Sequence, residues 1–292
     1  MFKKVLRIFL YLSFALLFSL LILIWKFPYA ALEARIQHEV HKRSSYQMTK
    51  PELSFALPFA LQAQKVSILD AQKNKPALFE LSDVNLTPDL TALIKGSLGI
   101  NLKSSLYQGE LTGKIQTRSL ALPAETSLQL FWEHLDLNGY PQEILTSPIF
   151  DLQGKLSGEI SYKGKLGSLA QTSGQGHISC QGLSIRVKIP LLQIKDIQDL
   201  LLNGKFSFQK QKLIFEEGQF SNEWLEGNVS GDIHLKNNLP QSSLNLQGKI
   251  KVDPKLIDMS TTTAQLARLI RKQKFIPFRI SGTLGDAKLN ML

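Results

Sequence analysis

The side chains that could do chemistry are few and scattered along this chain. Cys180 is the single cysteine, so it cannot form an internal disulfide, and zinc or iron-sulfur sites need several thiols or histidines close together. His38 and His41 lie one helical turn apart, but no further ligand follows nearby. Glu216 and Glu217 are adjacent, and a strand sends adjacent side chains to opposite faces, so they cannot act as an acid and base pair. We therefore expect no metal, no cofactor and no small-molecule substrate.

One glycine-rich stretch resembles the start of a dinucleotide-binding loop. It runs Gly-Gln-Gly-His-Ile-Ser from Gly174, but Ser179 occupies the third glycine position, and the flanking residues alternate as in strands. The sequence contains no P-loop, no Gly-x-Ser-x-Gly elbow and no His-Glu-x-x-His motif. His134, His177 and His234 have no acid and nucleophile near them in the sequence. The chain is therefore predicted not to be an enzyme.

The basic excess is concentrated at the beginning of the chain. The 292 residues carry a net charge of +10. Residues 1–50 hold eight Lys or Arg against two Glu, a balance of +6, whereas the rest of the chain holds 26 basic against 22 acidic residues. Basic residues that flank an apolar segment meet anionic lipid headgroups and set orientation. We expect no nucleic-acid partner, because no recognised binding motif accompanies the charge.

Residues 5–25 are almost entirely Leu, Ile, Phe, Val and Ala, which predicts a transmembrane helix. About 20 such residues span a hydrocarbon core of ~30 Å. We assign residues 1–27 to a cytoplasmic tail and membrane anchor. The anchor residues are Leu10, Leu16, Leu21 and Trp25. The competing interpretation is a cleaved secretory signal with a basic start and Ala30-Ala31 as the cleavage site. A short basic tail before the span favours export of everything that follows.

Residues 28–50 are predicted to contain a juxtamembrane amphipathic helix. Pro28 suits the first position of a helix, and apolar residues then recur at three- and four-residue spacing. The recurring residues are Tyr29, Leu32, Ile36 and Val40. Two interpretations stay open: the helix packs on the domain as ordinary core, or it lies in the headgroup layer.

From residue 51 to residue 292, the dominant pattern is an alternation of apolar and polar residues, which is typical of half-buried strands. Residues 229–235 and 244–252 alternate most clearly and predict an antiparallel hairpin, because a turn sequence separates them. Residues 204–209 and 212–216 predict a second hairpin.

Two segments interrupt the strand pattern with helical spacing of their apolar residues, residues 189–202 and residues 258–274. The predicted fold class is therefore mainly β. It consists of an N-terminal transmembrane helix followed by a long, curled antiparallel β-sheet with two short helices.

A short pattern, an apolar residue followed by x-Gly-Lys and a second apolar residue, recurs in the strands. Copies begin at Leu111, Leu152, Leu202 and Leu246, and a variant begins at Ile280. The glycine falls in phase with the apolar residues, and glycine inside a strand marks a bend or a close approach by another group. A row of such glycines favours a sheet that curls around its apolar face. Packing glycines in an ordinary sandwich are the alternative.

The order of these motifs resembles the type II secretion system protein N family in its deltaproteobacterial form. The matching stretches begin at Phe27, Leu152, Gly174, Leu202, Gly227, Ser243 and Ile276. The strand style is also similar to AsmA/TamB-like proteins, whose curled sheets form half-barrels or grooves that conduct lipid. The resemblance implies a single-pass protein of the bacterial inner membrane with its main domain in the periplasm. It supplies no catalytic residues.

Two functions follow from this resemblance as expectations. The first is a non-enzymatic component of a type II protein secretion system, which acts through contacts with other secretion subunits. The alternative is an AsmA-like lipid-binding or lipid-transfer protein that uses the glycine-rich apolar face, with membrane lipids as partners. The candidate lipid or partner face comprises Ile233, Leu244, Leu246, Gly248 and Ile250.

Overall fold

A single antiparallel sheet of fifteen strands makes up most of the chain in this computed structural model. The structure describes residues 28–43, 46–49, 51–56, 60–70, 79–118, 125–140, 150–165, 172–187, 197–236, 241–256 and 274–291, and isolated positions within 9–26 and 268–272. The strands are β1 Tyr46–Met48, β2 Leu53–Ala56, β3 Ala60–Asp70, β4 Phe79–Pro88, β5 Leu98–Leu106, β6 Gly109–Thr117, β7 Glu125–Asp136, β8 Phe150–Lys165, β9 Thr172–Val187, β10 Ile197–Gln209, β11 Lys212–Ser221, β12 Leu225–His234, β13 Ser243–Val252, β14 Ile276–Thr283 and β15 Asp286–Met291.

The strands follow one another in space as they do in the chain. From β3 to β15, each strand pairs antiparallel with the next, while β1 and β2 both pair with β3. Both predicted hairpins are confirmed, because β12 pairs with β13 and β10 pairs with β11. The turn between β10 and β11 places Lys210 and Gln211 at positive φ, as a two-residue hairpin turn requires.

Two helices with defined bounds accompany the sheet in the described part of the chain. Helix α1, Tyr29–Arg43, lies on the sheet edge and contacts β1 and β2. Its Glu33 carboxylate is buried and accepts a hydrogen bond from the Leu53 backbone N–H at 2.9 Å, and the Gln37 amide donates to the Met48 carbonyl. The predicted apolar residues of α1 are half-buried around these contacts. Helix α2, Leu90–Ile94, precedes β5, and single 3-10 turns occupy Leu137–Gly139 and Pro254–Leu256.

The helix predicted at residues 189–202 is wrong for residues 197–202, which form the start of β10, while its earlier residues lie outside the described part. The cause is a β-bulge at Asp199, whose φ is +53°. Ile197 and Leu200 are three residues apart but pair with Ile185 and Leu183, which are two apart. The extra residue of the bulge therefore produces an apolar spacing of three that imitates a helix.

The other predicted helix, residues 258–274, lies mostly outside the described residues. Arg268 and Arg271 are helical, and the Lys272 backbone N–H donates to the Arg268 carbonyl.

Bulges recur along the sheet. Asp83 and His134 also have positive φ, and each lies where the pairing register of its strand shifts. A bulge bends its strand and increases the local twist.

The accessible surface of the chain is unusually large for its mass. It amounts to 19489 Å² at 32.8 kDa. A compact globular protein of this mass exposes about 12,500 Å². All fifteen strands belong to one sheet, so in the described residues no second sheet covers either face.

Candidate functional site: the apolar face of the sheet

One line of paired residues crosses the sheet from β2 to β15 without a polar side chain. Each member is the direct cross-strand partner of the next, so all of them point to the same side of the sheet. The line is Phe55, Leu61, Leu86, Leu102, Gly113, Leu130, Ile160, Gly176, Phe206, Phe215, Gly231, Leu246, Ile280 and Leu289. Thirteen strand spacings make it about 62 Å long if the sheet were flat. We call the side that contains this line the apolar face.

The opposite side of the sheet is polar. The adjacent line of paired residues, displaced by one residue on each strand, lies on this side. From β4 to β11 it consists of Asn85, Lys103, Thr112, Phe131, Glu159, His177, Lys205 and Glu217. Phe131 is its one apolar member. Ion pairs join several neighbours on this side, including Lys103 with Glu110 at 2.8 Å and Lys65 with Glu80 at 2.7 Å. The two faces therefore differ in chemistry over almost the whole sheet.

The five residues predicted for the candidate face all lie on the apolar face. Ile233 is paired with Leu244, and both are buried, with 7% and 8% of their surface exposed. Leu246, Gly248 and Ile250 follow on alternate positions of β13 and are only half-buried. Sequence reasoning treated the five as equivalent, but the structure separates a buried pair from a more accessible trio.

Several glycines of the apolar face lie beneath a large side chain of the neighbouring strand. A Cβ added to Gly176 would come within 2.6 Å of the Phe206 ring, and one added to Gly158 would come within 2.7 Å of the Trp132 ring. The close approach that sequence reasoning expected at glycine therefore comes from backbone, the carbonyl oxygens of Glu159 and His177, as well as from cross-strand rings. These are packing glycines, but they belong to a single sheet and not to a sandwich.

One end of the apolar face carries a buried cluster. We call this the far end; the hairpin that joins β5 to β6 lies there. Cys180, Leu200 and Ile276 are its most buried members, and Cys180 exposes only 2% of its surface. Burial raises the pKa of the Cys180 thiol. The thiol is therefore held neutral inside the cluster, which agrees with a packing role.

The opposite end, which we call the α2 end, carries the short helix α2. Asp89 caps this helix: its Oδ1 accepts hydrogen bonds from the backbone N–H groups of Thr91 and Ala92 at 3.0 and 3.2 Å. Lys114 on β6 lies 2.7 Å from Asp89 Oδ2. The hydrogen bond from Lys114, followed by that from the Thr91 hydroxyl, holds the pKa of Asp89 well below its usual range. Sequence reasoning missed α2, although an Asp just before a short apolar run is a recognised helix start.

The groups that could catalyse a reaction do not assemble into a site. Among the described residues, no three His, Cys, Asp or Glu side chains come together as metal ligands. Glu216 occupies a bulge of β11, so the alternation of faces fails there, and Glu216 and Glu217 are both exposed. Gly174 and Ser179 lie within β9, in a strand and not a strand-turn-helix.

A depression of about 440 Å³ lies on the polar face across β6 to β9. It is lined mainly by amides, hydroxyls and two lysines, including Gln129, Ser161, Lys163 and Gln175. It contains no acid and base pair, and its lysines belong to ion pairs already formed with Asp89 and Glu125.

The predicted anchor is described only in part. Leu10 is helical and exposed, whereas Leu16, Leu21 and Trp25 lie outside the described residues. None of the helices in the described part of the chain combines the length and the apolar character that a bilayer crossing needs.

No protein-family model, no curated protein and no solved structure matches this chain.

Proposed function

We propose that this protein binds lipid along the apolar face of its sheet, as AsmA-like proteins do. The observation that carries the proposal is the unbroken line of fourteen apolar or glycine residues on a sheet that no second sheet covers in the described residues. A soluble sheet normally covers such a face, because exposed apolar patches of this extent favour association. An acyl chain laid on this face would remove both partners from water, with about 0.8 kcal/mol gained per buried methylene.

The proposed geometry is a curled half-barrel or groove with the apolar face inside. Bulges at Asp83, His134 and Asp199 bend their strands, and glycines let neighbouring strands approach under large side chains. Curling also accounts for the burial of Phe206 and Phe278, which no second sheet covers in the described residues.

The proposed location is the bacterial inner membrane, with residues 1–27 as anchor and the sheet in the periplasm. The support is the apolar sequence of residues 5–25 and the basic residues around it. In that setting, the sheet accepts or carries membrane lipids without catalysing a reaction.

Photo-crosslinking in cells tests the proposal. A photoreactive residue at Leu246 or Ile250 should give lipid adducts, because both side chains are half-buried on the apolar face. Gln247 and Lys249 lie on the same strand, exposed on the polar face, and serve as matched controls. Lipid adducts at the first two positions alone support the proposal. The absence of lipid adducts at all four positions, or equal amounts of lipid adducts on both faces, would contradict it.

A second candidate is a component of a type II secretion system that acts through protein contacts. The observation that favours it is the outer edge of β15, which pairs only with β14 among the described residues. This strand has no proline, and Lys288 is its one charged residue after Asp286, so it lacks most of the usual protection against pairing with another chain. Protein adducts from Asn290 to secretion subunits, together with retained cargo when the gene is deleted, would favour this function.

A further inference from the structure

Three apolar side chains of α2 face solvent. Ile94 exposes 88% of its surface, and Leu90 and Leu93 are also exposed. The helix is nevertheless firmly attached, because Ala92 is buried and a Cβ on Gly99 of β5 would come within 2.9 Å of the Ala92 Cβ. The ion pair between Asp89 and Lys114 fixes its beginning. The fold therefore holds these apolar side chains outward on a rigid base.

Further exposed apolar side chains lie on the apolar face beside α2. Leu98 and Ile100 begin β5, directly after α2, and both are exposed. They lie on the apolar face, because Ile100 pairs with Ile115 and shares its side with Leu102. At the α2 end, apolar side chains are thus exposed on both sides of β5.

The turns and strand ends at the α2 end are rich in exposed basic residues. They belong to five different connections along the sheet: Lys95, Arg118, Lys165, Lys210 and Lys236. Glu125 at the same end contacts Arg118 at 3.4 Å and Lys163 at 3.6 Å. The far end exposes charged residues of both signs. They include the acidic Glu133, Asp199, Glu223 and Glu226 and, in the connection from β13 to β14, the basic Lys255, Arg268, Arg271, Lys272 and Lys274.

Helix α1 shows from which end the chain reaches the sheet. Glu33, near the start of α1, contacts Leu53, which pairs with Ala63 near the start of β3. Gln37, one turn later, contacts Met48, which pairs with Ile68 near the end of β3. Because β3 starts at the α2 end, the chain enters α1 from that end. A membrane anchor before α1 would therefore lie at the same end as Ile94.

We infer that the α2 end of the sheet contacts an anionic phospholipid bilayer, with Leu90, Leu93 and Ile94 inserted at the boundary between headgroups and acyl chains. Interfacial elements combine an apolar surface with basic residues, as this end does. The contact brings the exposed Leu98 and Ile100 to the bilayer surface, where the apolar face opens. This inference deepens the proposed lipid-binding function by naming where lipid enters.

Depth-dependent fluorescence quenching tests the contact. The full chain carrying Ile94→Cys is labelled with a bimane and reconstituted into vesicles of phosphatidylethanolamine and phosphatidylglycerol with nitroxide-bearing acyl chains. Leu201→Cys is the matched control, because Leu201 is an apolar residue with 49% exposure at the far end. The unsubstituted chain gives the background from Cys180, which is buried.

Quenching should be severalfold stronger at position 94 than at position 201. It should weaken when phosphatidylcholine replaces phosphatidylglycerol, or when Lys95 and Arg118 are changed to Glu, because attraction of basic residues to the surface is lost. Equal quenching at the two positions, or none at position 94, would overturn the inference, as would crosslinks from position 94 to protein alone.

The outcome is independent of the crosslinking at Leu246. Quenching at position 94 without lipid adducts at Leu246 would leave the bilayer contact standing and remove the lipid-binding face. Lipid adducts without quenching would do the reverse.

Discussion

The ring of Phe278 on β14 lies over Gly248 on β13, and a Cβ added to this glycine would come within 2.6 Å of the ring and would clash with the Asn228 carbonyl oxygen. Gly248→Ala should therefore destabilise the protein by about 1–3 kcal/mol, because a backbone oxygen cannot move aside cheaply. Gly204→Ala is the matched control, since its nearest contact would be an ordinary 3.4 Å to Ile178. Urea unfolding should give a lower midpoint for the first variant and almost no change for the second. Equal effects would mean that crowding at Gly248 does not govern stability.

Charges on the apolar face should separate its accessible positions from its buried ones. Leu246→Asp keeps the new carboxylate near water, because Leu246 is half-buried, so the fold should persist while bound lipid is lost. Ile233→Asp buries an unpaired charge and should cost several kcal/mol of folding free energy. Circular dichroism with urea unfolding, and mass spectrometry of lipid that co-purifies with each variant, measure the two effects. Unfolding of the Leu246 variant would indicate a closed core.

Asp89, which caps α2, should make the folding stability depend on pH. The pKa of Asp89 is lowered in the folded protein, chiefly by Lys114, so the ionised carboxylate stabilises the fold above the ordinary Asp pKa, and this contribution is lost as the pH falls further. Asp89→Asn should thus lower the urea midpoint at pH 5 to 8, and its difference from the unsubstituted chain should shrink below about pH 4. A difference that is constant down to low pH would exclude the ion pair as its cause.

The thiol of Cys180 should resist alkylation until the far end opens. It is buried in the cluster with Leu200 and Ile276, so an alkylating reagent cannot easily reach it. Burial also raises its pKa, so little of the reactive thiolate form is present. Iodoacetamide labelling across a urea series should therefore follow the unfolding transition. Fast labelling in native buffer would show that the cluster opens on its own.

The alternation of apolar and polar residues was sufficient to predict the strands and the β12 to β13 hairpin. No bulge interrupts this hairpin, so Leu246 and Ile250 pair with apolar-face residues of β12 as the alternation requires. The alternation failed at Asp199, where one bulged residue changes the phase and creates the spacing of a helix. Only pairing partners reveal such a bulge. The residues of the candidate face could be predicted as one side of a strand, but the burial of Ile233 beside the accessibility of Leu246 depends on neighbours in other strands.

The exposed apolar side chains of α2 illustrate a second limit of prediction from the sequence. The sequence Asp89-Leu-Thr-Ala-Leu-Ile predicts a capped helix, yet it does not tell which of its apolar residues meet the sheet. Ala92 does so because Gly99 leaves room beneath it, whereas Ile94 points to solvent.

The strand order has a consequence for how the sheet assembles. From β4 onward, every strand pairs only with its predecessor and successor among the described strands, so each hairpin can form as soon as its second strand is available. Growth can proceed like a zipper from either end, and stability becomes a sum of nearest-neighbour terms, as in repeat proteins. Adding or deleting one hairpin would then change the length of the sheet without altering its topology.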